Sequence, residues 1–327
     1  LISNAYILVA ALDWGNGHAT RTTALISQLL AKENVVEIAA SPSQVKYWKE
    51  TFPLLTLHVI LPDNHIRWGK HAAAKLLFRF SELRKNLKFE EEAMAYLCSK
   101  NLYDVIISDN RYGVRNSSIK SILLTHQLSL PLNGISKLVG NWLVAKLANR
   151  FHEIWIPDQA SQPRLSGNLN ESAGIIRPVK YIGTLHPPLP EKESDNQAVL
   201  VMLSGPEPQR SMFAKQCAQV LTEMKETFVV MGSCEQIIVS EFATILGQVS
   251  VETAMQRQAN HQRIICRSGY TTLMELHANN RKALLIPTPG QAEQNYLADH
   301  WNKSFGYPSC TEKNLNKTNL ELLLKQL

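Results

Sequence analysis

At 327 residues the chain is long enough for two domains, each with its own core. Hydrophobic residues make up 45% and charged ones 19%, which excludes a disordered polypeptide, and no apolar run is long enough to span a bilayer. A formal net charge of +6 favours anionic partners, but nucleotides, phospholipid surfaces and nucleic acids all qualify.

Short β-branched runs alternate with longer helical patterns, the signature of an α/β protein with parallel sheets. In the first half, strands are predicted over Tyr6–Leu12, Val35–Ala40, Leu55–Ile60, Val105–Ser108, Ser121–Thr125 and Glu153–Ile156. Helices are predicted over Ala19–Ala31, Ala72–Cys98 and Ile135–Asn149. No basic leader precedes the first strand, so a signal peptide is not expected. The five cysteines are scattered and lack zinc-site spacing, which points to reduced thiols and a cytoplasmic protein.

The first strand runs into Gly15, Asn16, Gly17 and His18, with Arg21 one turn later. The two glycines allow a sharp turn and a close backbone approach to a ligand. His18 then lies near a helix start, where an imidazole can take a proton from an attacking hydroxyl. An ordinary strand-to-helix turn with a partly exposed histidine is the plain alternative. Thr20 stands where the dinucleotide fingerprint has its third glycine, which argues against NAD.

Two polar clusters follow first-half strands: Asp109, Asn110 and Arg111, then His126 and Gln127. They are expected on the acceptor side of a cleft, with loop capping as the alternative. Lys70 to Lys88 and Ile135 to Phe151 read as basic amphipathic helices. Such helices can lie on an anionic membrane, although burial of the apolar stripe against the sheet is the commoner outcome.

The proline-rich, charged stretch 186–197 is the predicted linker between an N-terminal domain, 1–185, and a C-terminal domain, 198–327. Strands are predicted there over Ala198–Leu203, Thr227–Met231, Arg263–Cys266 and Ala283–Ile286. The helices are Gln209–Lys225, Tyr270–Asn279, Gln291–Trp301 and Leu315–Leu327, the last free to pack back on the first domain. Ser204 and Gly205 can offer donors to a diphosphate and Arg210 a guanidinium, although Pro206 and Pro208 thin out the local N–H groups.

The most informative block runs from Ile264 to Asn295. Ser268 and Gly269 open a helix whose start favours an anion such as phosphate. Glu275, six residues on, lies roughly 9 Å along that helix and can accept hydrogen bonds from sugar hydroxyls. Gln294 and Asn295 add amides at the same sheet edge, and together these residues suggest a nucleotide-sugar site. No aspartate pair or histidine cluster has metal-ligand spacing, so a metal-independent mechanism without a resident cofactor is expected.

At these residues the chain resembles the GT-B glycosyltransferases of family 28, a family that includes the UDP-N-acetylglucosamine transferase of lipid II synthesis. Gly15, Asn16, Gly17 and His18 look like its N-terminal glycine-rich loop. Arg267, Ser268 and Gly269, with Glu275, Pro287, Gln294 and Asn295, look like its donor signature. The resemblance implies two Rossmann-like parallel-sheet domains facing a central cleft. It also implies inverting transfer of a sugar, an N-acetylhexosamine by analogy, from a UDP-sugar to a hydroxyl acceptor. His18 would be the base. Ser268 and Gly269 would face the phosphates, Glu275 the ribose, and Gln294 with Asn295 the sugar, while Ser204 and Gly205 fall at the family's second glycine-rich loop. By the same analogy the protein is bacterial, works in the cytoplasm or peripherally at the inner membrane on an acceptor that can be lipid-linked, and does not bind nucleic acid. Thr125, His126 and Gln127 echo the family's acceptor motif only in part.

Two other classes stay open. Gly15, Gly17, His18 and Arg21 also match a loop of nucleotide-sugar hydrolases, in which water attacks. A non-catalytic nucleotide-sugar binding protein is the third.

Overall fold

Five of the six residues of the first strand, Tyr6–Ala11 (β1), are buried, as a strand covered on both faces requires. The computed structural model describes the chain apart from residues 14–15, 64–71, 172–173, 188, 195, 233, 235–238 and 248, and apart from the side chains of residues 16 and 72–81. The chain divides into two units, Leu1–Leu185 and His186–Leu327.

In the first unit β1 is joined by Val35–Ala40 (β2), Leu57–Val59 (β3), Val105–Asp109 (β4), Lys120–Leu124 (β5), Glu153–Ile156 (β6) and Val179–Tyr181 (β7). Every pairing is parallel, in the order β3-β2-β1-β4-β5-β6-β7. The helices are Asn16–Leu30 (α1), Val45–Thr51 (α2), Ala72–Lys100 (α3) and Gly134–Ala148 (α4). Strand order reverses between β1 and β4, and a doubly wound sheet opens a crevice at such a switch point.

The second unit repeats the plan with Val199–Met202 (β8), Phe228–Met231 (β9), Ala243–Gly247 (β10), Ile264–Cys266 (β11) and Leu284–Leu285 (β12). Their order is β10-β9-β8-β11-β12, again all parallel, with the reversal between β8 and β11. Its helices are Gln209–Glu223 (α5), Val251–Asn260 (α6), Tyr270–Ala278 (α7), Ala292–Phe305 (α8) and Lys317–Leu324 (α9). Val201, Phe213, Leu221 and Ile265 are fully buried in its core.

The fold refines several expectations. Stretch 186–197 belongs to the second unit: the Glu193 amide donates to Asn260 Oδ1 at 3.0 Å, and Asn196 bridges to His261. Leu320 and Leu324 of the last helix sit in the second unit's own core beside Phe213 and Leu221 of α5. Helix α1 starts at Asn16 rather than Ala19, which puts Gly17 and His18 in its first turn.

Helix α4 departs most from expectation. Only its C-terminal part is buried, through Ala145, Leu147 and Ala148. Residues 132–139 are all exposed, with Ile135 at 80% and Leu138 at 71%. The apolar stripe predicted to pack on the sheet therefore faces outward. Among the described residues no helix is long and apolar enough to cross a membrane.

Candidate active site

Ala11 at the end of β1 lies beside Asp109 at the end of β4, so the switch point brings the α1 start next to a carboxylate. Asp109 is buried and receives three neighbours from α1. Its Oδ1 is 3.0 Å from His18 Nδ1, and its Oδ2 accepts from Arg21 Nε at 2.8 Å and Thr22 Oγ1 at 2.9 Å. Arg21 Nη2 also pairs with Oδ1. Burial opposes the charge on Asp109, but Arg21 and His18 outweigh it and hold the carboxyl well below the usual carboxylate range.

An ionised carboxylate only accepts, so the proton of His18 sits on Nδ1 and Nε2 keeps its lone pair. Arg21 Nη2 lies 2.8 Å from the same Nδ1, but a guanidinium cannot accept, and its hydrogen serves Asp109. Arg21 Nη1 reaches His126 Nδ1 at 2.9 Å. Burial is the main force lowering the His18 pKa; Asp109 pulls it up, and Arg21 and His126 push it down again. A neutral imidazole, oriented through Nδ1 and 15% exposed, is what a general base needs.

Asp109 and Arg111, expected to face an acceptor, are spent on internal partners. Asp109 orients His18. Arg111 is fully buried between Asp13 Oδ1 at 3.1 Å and Glu90 Oε1 at 2.9 Å, and donates to the Ala11 carbonyl at 2.8 Å. Its Nη1 also donates to the Pro62 carbonyl at 3.1 Å, and since an unpaired guanidinium cannot persist at that depth, these four contacts account for its position. Asn110 is half-buried with a left-handed φ of 56°, and its amide donates to the Leu124 carbonyl. Gln127, also half-buried, donates its amide to Thr125 Oγ1 at 3.1 Å. Gly15 and the Asn16 side chain lie outside the described residues.

In the second unit β11 leads through Arg267 and Ser268 to Gly269, the N-cap of α7. The N-cap glycine supplies no capping side chain of its own, and a Cβ added at Gly269 would meet nothing within 4 Å among the described residues. The open end leaves backbone N–H groups and the positive end of the helix dipole available to an anion. Glu275 is partly exposed on the same helix, and its carboxylate has no hydrogen-bond or ion-pair partner among the described residues. Burial pushes its pKa up to about 7. A carboxylate without partners in a desolvated position suits a ligand's hydroxyl groups.

Three of the expected donor residues have partners within the chain. Arg267 is buried and stacks on Phe213 with 3.8 Å between its guanidinium and the ring centroid. It pairs with Glu312 at 2.8 Å and donates to the Ile286 carbonyl, so it braces the end of the sheet. Ser268 Oγ donates to the Gln294 carbonyl at 2.8 Å, and Gln294 Oε1 accepts from the Thr288 amide at 2.8 Å. Both side chains thereby fix the start of α8. Asn295 is exposed and lines a cavity of about 660 Å³ beside Cys310 and Leu322, on the α9 side.

Ser204 and Gly205 are exposed, and Gly205 has a φ of 91°. Arg210, expected on a diphosphate, is held by Glu207 Oε1 at 3.0 Å from Nε and 2.9 Å from Nη2. Glu207 Oε2 accepts from the Ser211 amide at 3.2 Å, so a carboxylate of the chain itself caps α5. Burial opposes the charge on Glu207, but Ser211 and Arg210 outweigh it and lower its pKa.

Sequence reasoning missed Thr22 and Glu207, and took Asp109 for an acceptor contact. Only the strand order, β4 beside β1, could have paired Asp109 with His18.

Two parallel sheets, each with a strand-order reversal, match the GT-B fold. Residues 210–327 match the model of the glycosyltransferase family 28 C-terminal domain. No curated protein matches the sequence. Among solved structures the chain is similar to UGT89C1 of Arabidopsis thaliana complexed with UDP. The two are 15% identical, with 99% of this chain and 90% of that one covered and a TM-score of 0.73. The glycotransferase of kitacinnamycin is 13% identical over 99% of this chain and 90% of its own, with a TM-score of 0.72. MurG of Acinetobacter baumannii is 15% identical over 98% and 90%, with a TM-score of 0.57. At these identities the likeness is one of fold. Together the family match and the shared fold support a glycosyltransferase.

Proposed function

We propose that the protein transfers a sugar from a UDP-sugar, an N-acetylhexosamine by analogy, to an acceptor hydroxyl, inverting the anomeric centre without a metal ion. The observation that carries this reading is His18, half-buried, neutral and oriented by Asp109. In this mechanism His18 Nε2 takes the acceptor's proton as the hydroxyl oxygen attacks the anomeric carbon. The bond from that carbon to the UDP oxygen breaks, and the diphosphate leaves with its electron pair. The open start of α7 stabilises the departing charge, and Glu275 accepts hydrogen bonds from the ribose.

The test is an assay of UDP release with a panel of UDP-sugars and hydroxyl acceptors. We expect release to require both donor and acceptor, to survive EDTA, and to give a product of inverted configuration by NMR. Stoichiometric free sugar without any acceptor would replace transfer by hydrolysis. Stabilisation by a UDP-sugar with no turnover would leave a binding protein.

We also propose that the acceptor is met at an anionic membrane surface, with α4 as the docking element. Ile135, Leu138, Val139 and Trp142 recur at helical spacing and are all exposed. No acidic residue occurs from Gln127 to His152, while Lys137 and Lys146 are exposed and Lys146 lies 5.0 Å from the centre of the Trp142 ring. At about 22 Å long a 15-residue helix is too short to span a bilayer and would lie flat in its interface. The protein should float with vesicles containing phosphatidylglycerol at low salt, and Leu138→Glu with Trp142→Glu should abolish this. Undiminished flotation of the double variant would remove α4 from the surface.

A further inference from the structure

The β4–β5 connection runs back from Asp109 to the opposite edge of the first unit's sheet, where Lys120 begins β5 and Glu153 begins β6. At that edge a cavity of about 200 Å³ is lined by Glu91 and Ala95 of α3, by Arg115, Asn116 and Ser117 of the connection, and by Arg150 just after α4. Its charges do not balance. Arg150 is paired with Glu91 through Nη2. The Arg115 guanidinium has no hydrogen bond or ion pair among the described residues, and its Nε is buried without a partner.

A buried donor that the fold leaves unpaired calls for a physical explanation. Here the unpaired group is also set against a second guanidinium, and two like charges in a partly desolvated site repel each other. Burial and the Arg150 charge both lower the Arg115 pKa, against an upward pull from Glu91. The arrangement becomes favourable once an anion sits between the two forks. Arginine's planar set of donors matches tetrahedral oxyanions better than any other side chain does.

We infer that this cavity binds a small oxyanion, a phosphate or a phosphate monoester group, between Arg115 and Arg150. The volume of about 200 Å³ suits that class. Ser117, exposed at the rim, adds a hydroxyl. Glu91 competes with the ligand for Arg150, so its charge sets the affinity. The anion can come from free phosphate or from the headgroup of an anionic lipid, and the chemistry of the contact is the same. None of this depends on the donor site of the second unit.

The test is calorimetric titration of the full chain with inorganic phosphate, comparing the unaltered protein with Arg115→Gln and Glu91→Gln. Arg115→Gln should weaken binding at least tenfold while keeping its melting temperature in the absence of phosphate. Glu91→Gln should tighten binding severalfold, a gain that a merely structural role would not produce. In a second arm, vesicles of phosphatidylcholine with phosphatidic acid replace inorganic phosphate. Arg115-dependent binding of these vesicles without binding of free phosphate would identify the headgroup as the source. Equal phosphate affinity in the unaltered protein and Arg115→Gln, or binding of neither probe, would overturn the inference.

Discussion

His18→Ala is expected to lower turnover by about 10²–10⁴-fold, the span typical of a lost general base, while UDP affinity stays within about twofold. The split follows from position, because His18 belongs to the α1 start of the first unit whereas the open helix end and Glu275 belong to α7 of the second. Folding should survive, since Arg21 and Thr22 still satisfy Asp109 when the imidazole is gone. Asp109→Asn should be nearly as damaging to turnover, because an amide no longer dictates which imidazole nitrogen carries the proton. The pH profile gives a second readout. Burial lowers the His18 pKa below its ordinary 6.5, so the acidic limb of kcat/KM should have its midpoint below that value. Activity is lost as pH falls through this pKa, because the protonated imidazole has no lone pair to offer. Unchanged turnover in His18→Ala would end its role as base.

Glu275→Gln is expected to make UDP binding both weaker and insensitive to pH between 6 and 8. Burial raises the carboxyl to about 7 in the free protein, and ribose hydroxyls favour its ionised form. Affinity should therefore rise as pH passes upward through 7, with proton release that calorimetry in two buffers detects. Stability should move the opposite way. A carboxyl whose folded pKa exceeds its unfolded 4.5 costs nothing below that value and costs most above about 7. At pH 8 the glutamine variant should be more stable than the parent by up to about 3 kcal/mol, an upper bound given partial solvent access. At pH 4 the two should melt together. A pH-independent affinity in the unaltered protein would remove Glu275 from the nucleotide site.

Much of the fold was legible because parallel strands covered on both faces are short, uninterrupted apolar runs. Val35–Ala40 and Glu153–Ile156 fall where the pattern predicts them. What escaped lacks that contrast: Val179–Tyr181 is a largely exposed edge strand, and Val251–Asn260 is mostly polar and held at its start by Ser250. The helix start at Gly269, with Glu275 further along the same helix, was readable because glycine and spacing are local properties. The roles of Arg111 and Arg267 were not, because their partners lie far away in sequence. Arg267 meets Glu312, and Arg111 meets Glu90 and Asp13. Outward exposure of α4 was equally hidden, since an apolar stripe reads the same whether it meets a sheet or a bilayer.

In mechanical terms Arg267 is a rivet. One side chain joins the end of β11, the carbonyls that follow β12, the Phe213 face of α5 and the turn at Glu312. The α7 start projects from that joint, and the α8 start is tied to it through Ser268 and Gln294. The end of the second unit that carries the α7 and α8 starts thus has few independent degrees of freedom and responds to damage as one piece. A mutational screen scoring only lost activity would count Glu312 as a site residue, although its work is to keep the joint closed from behind.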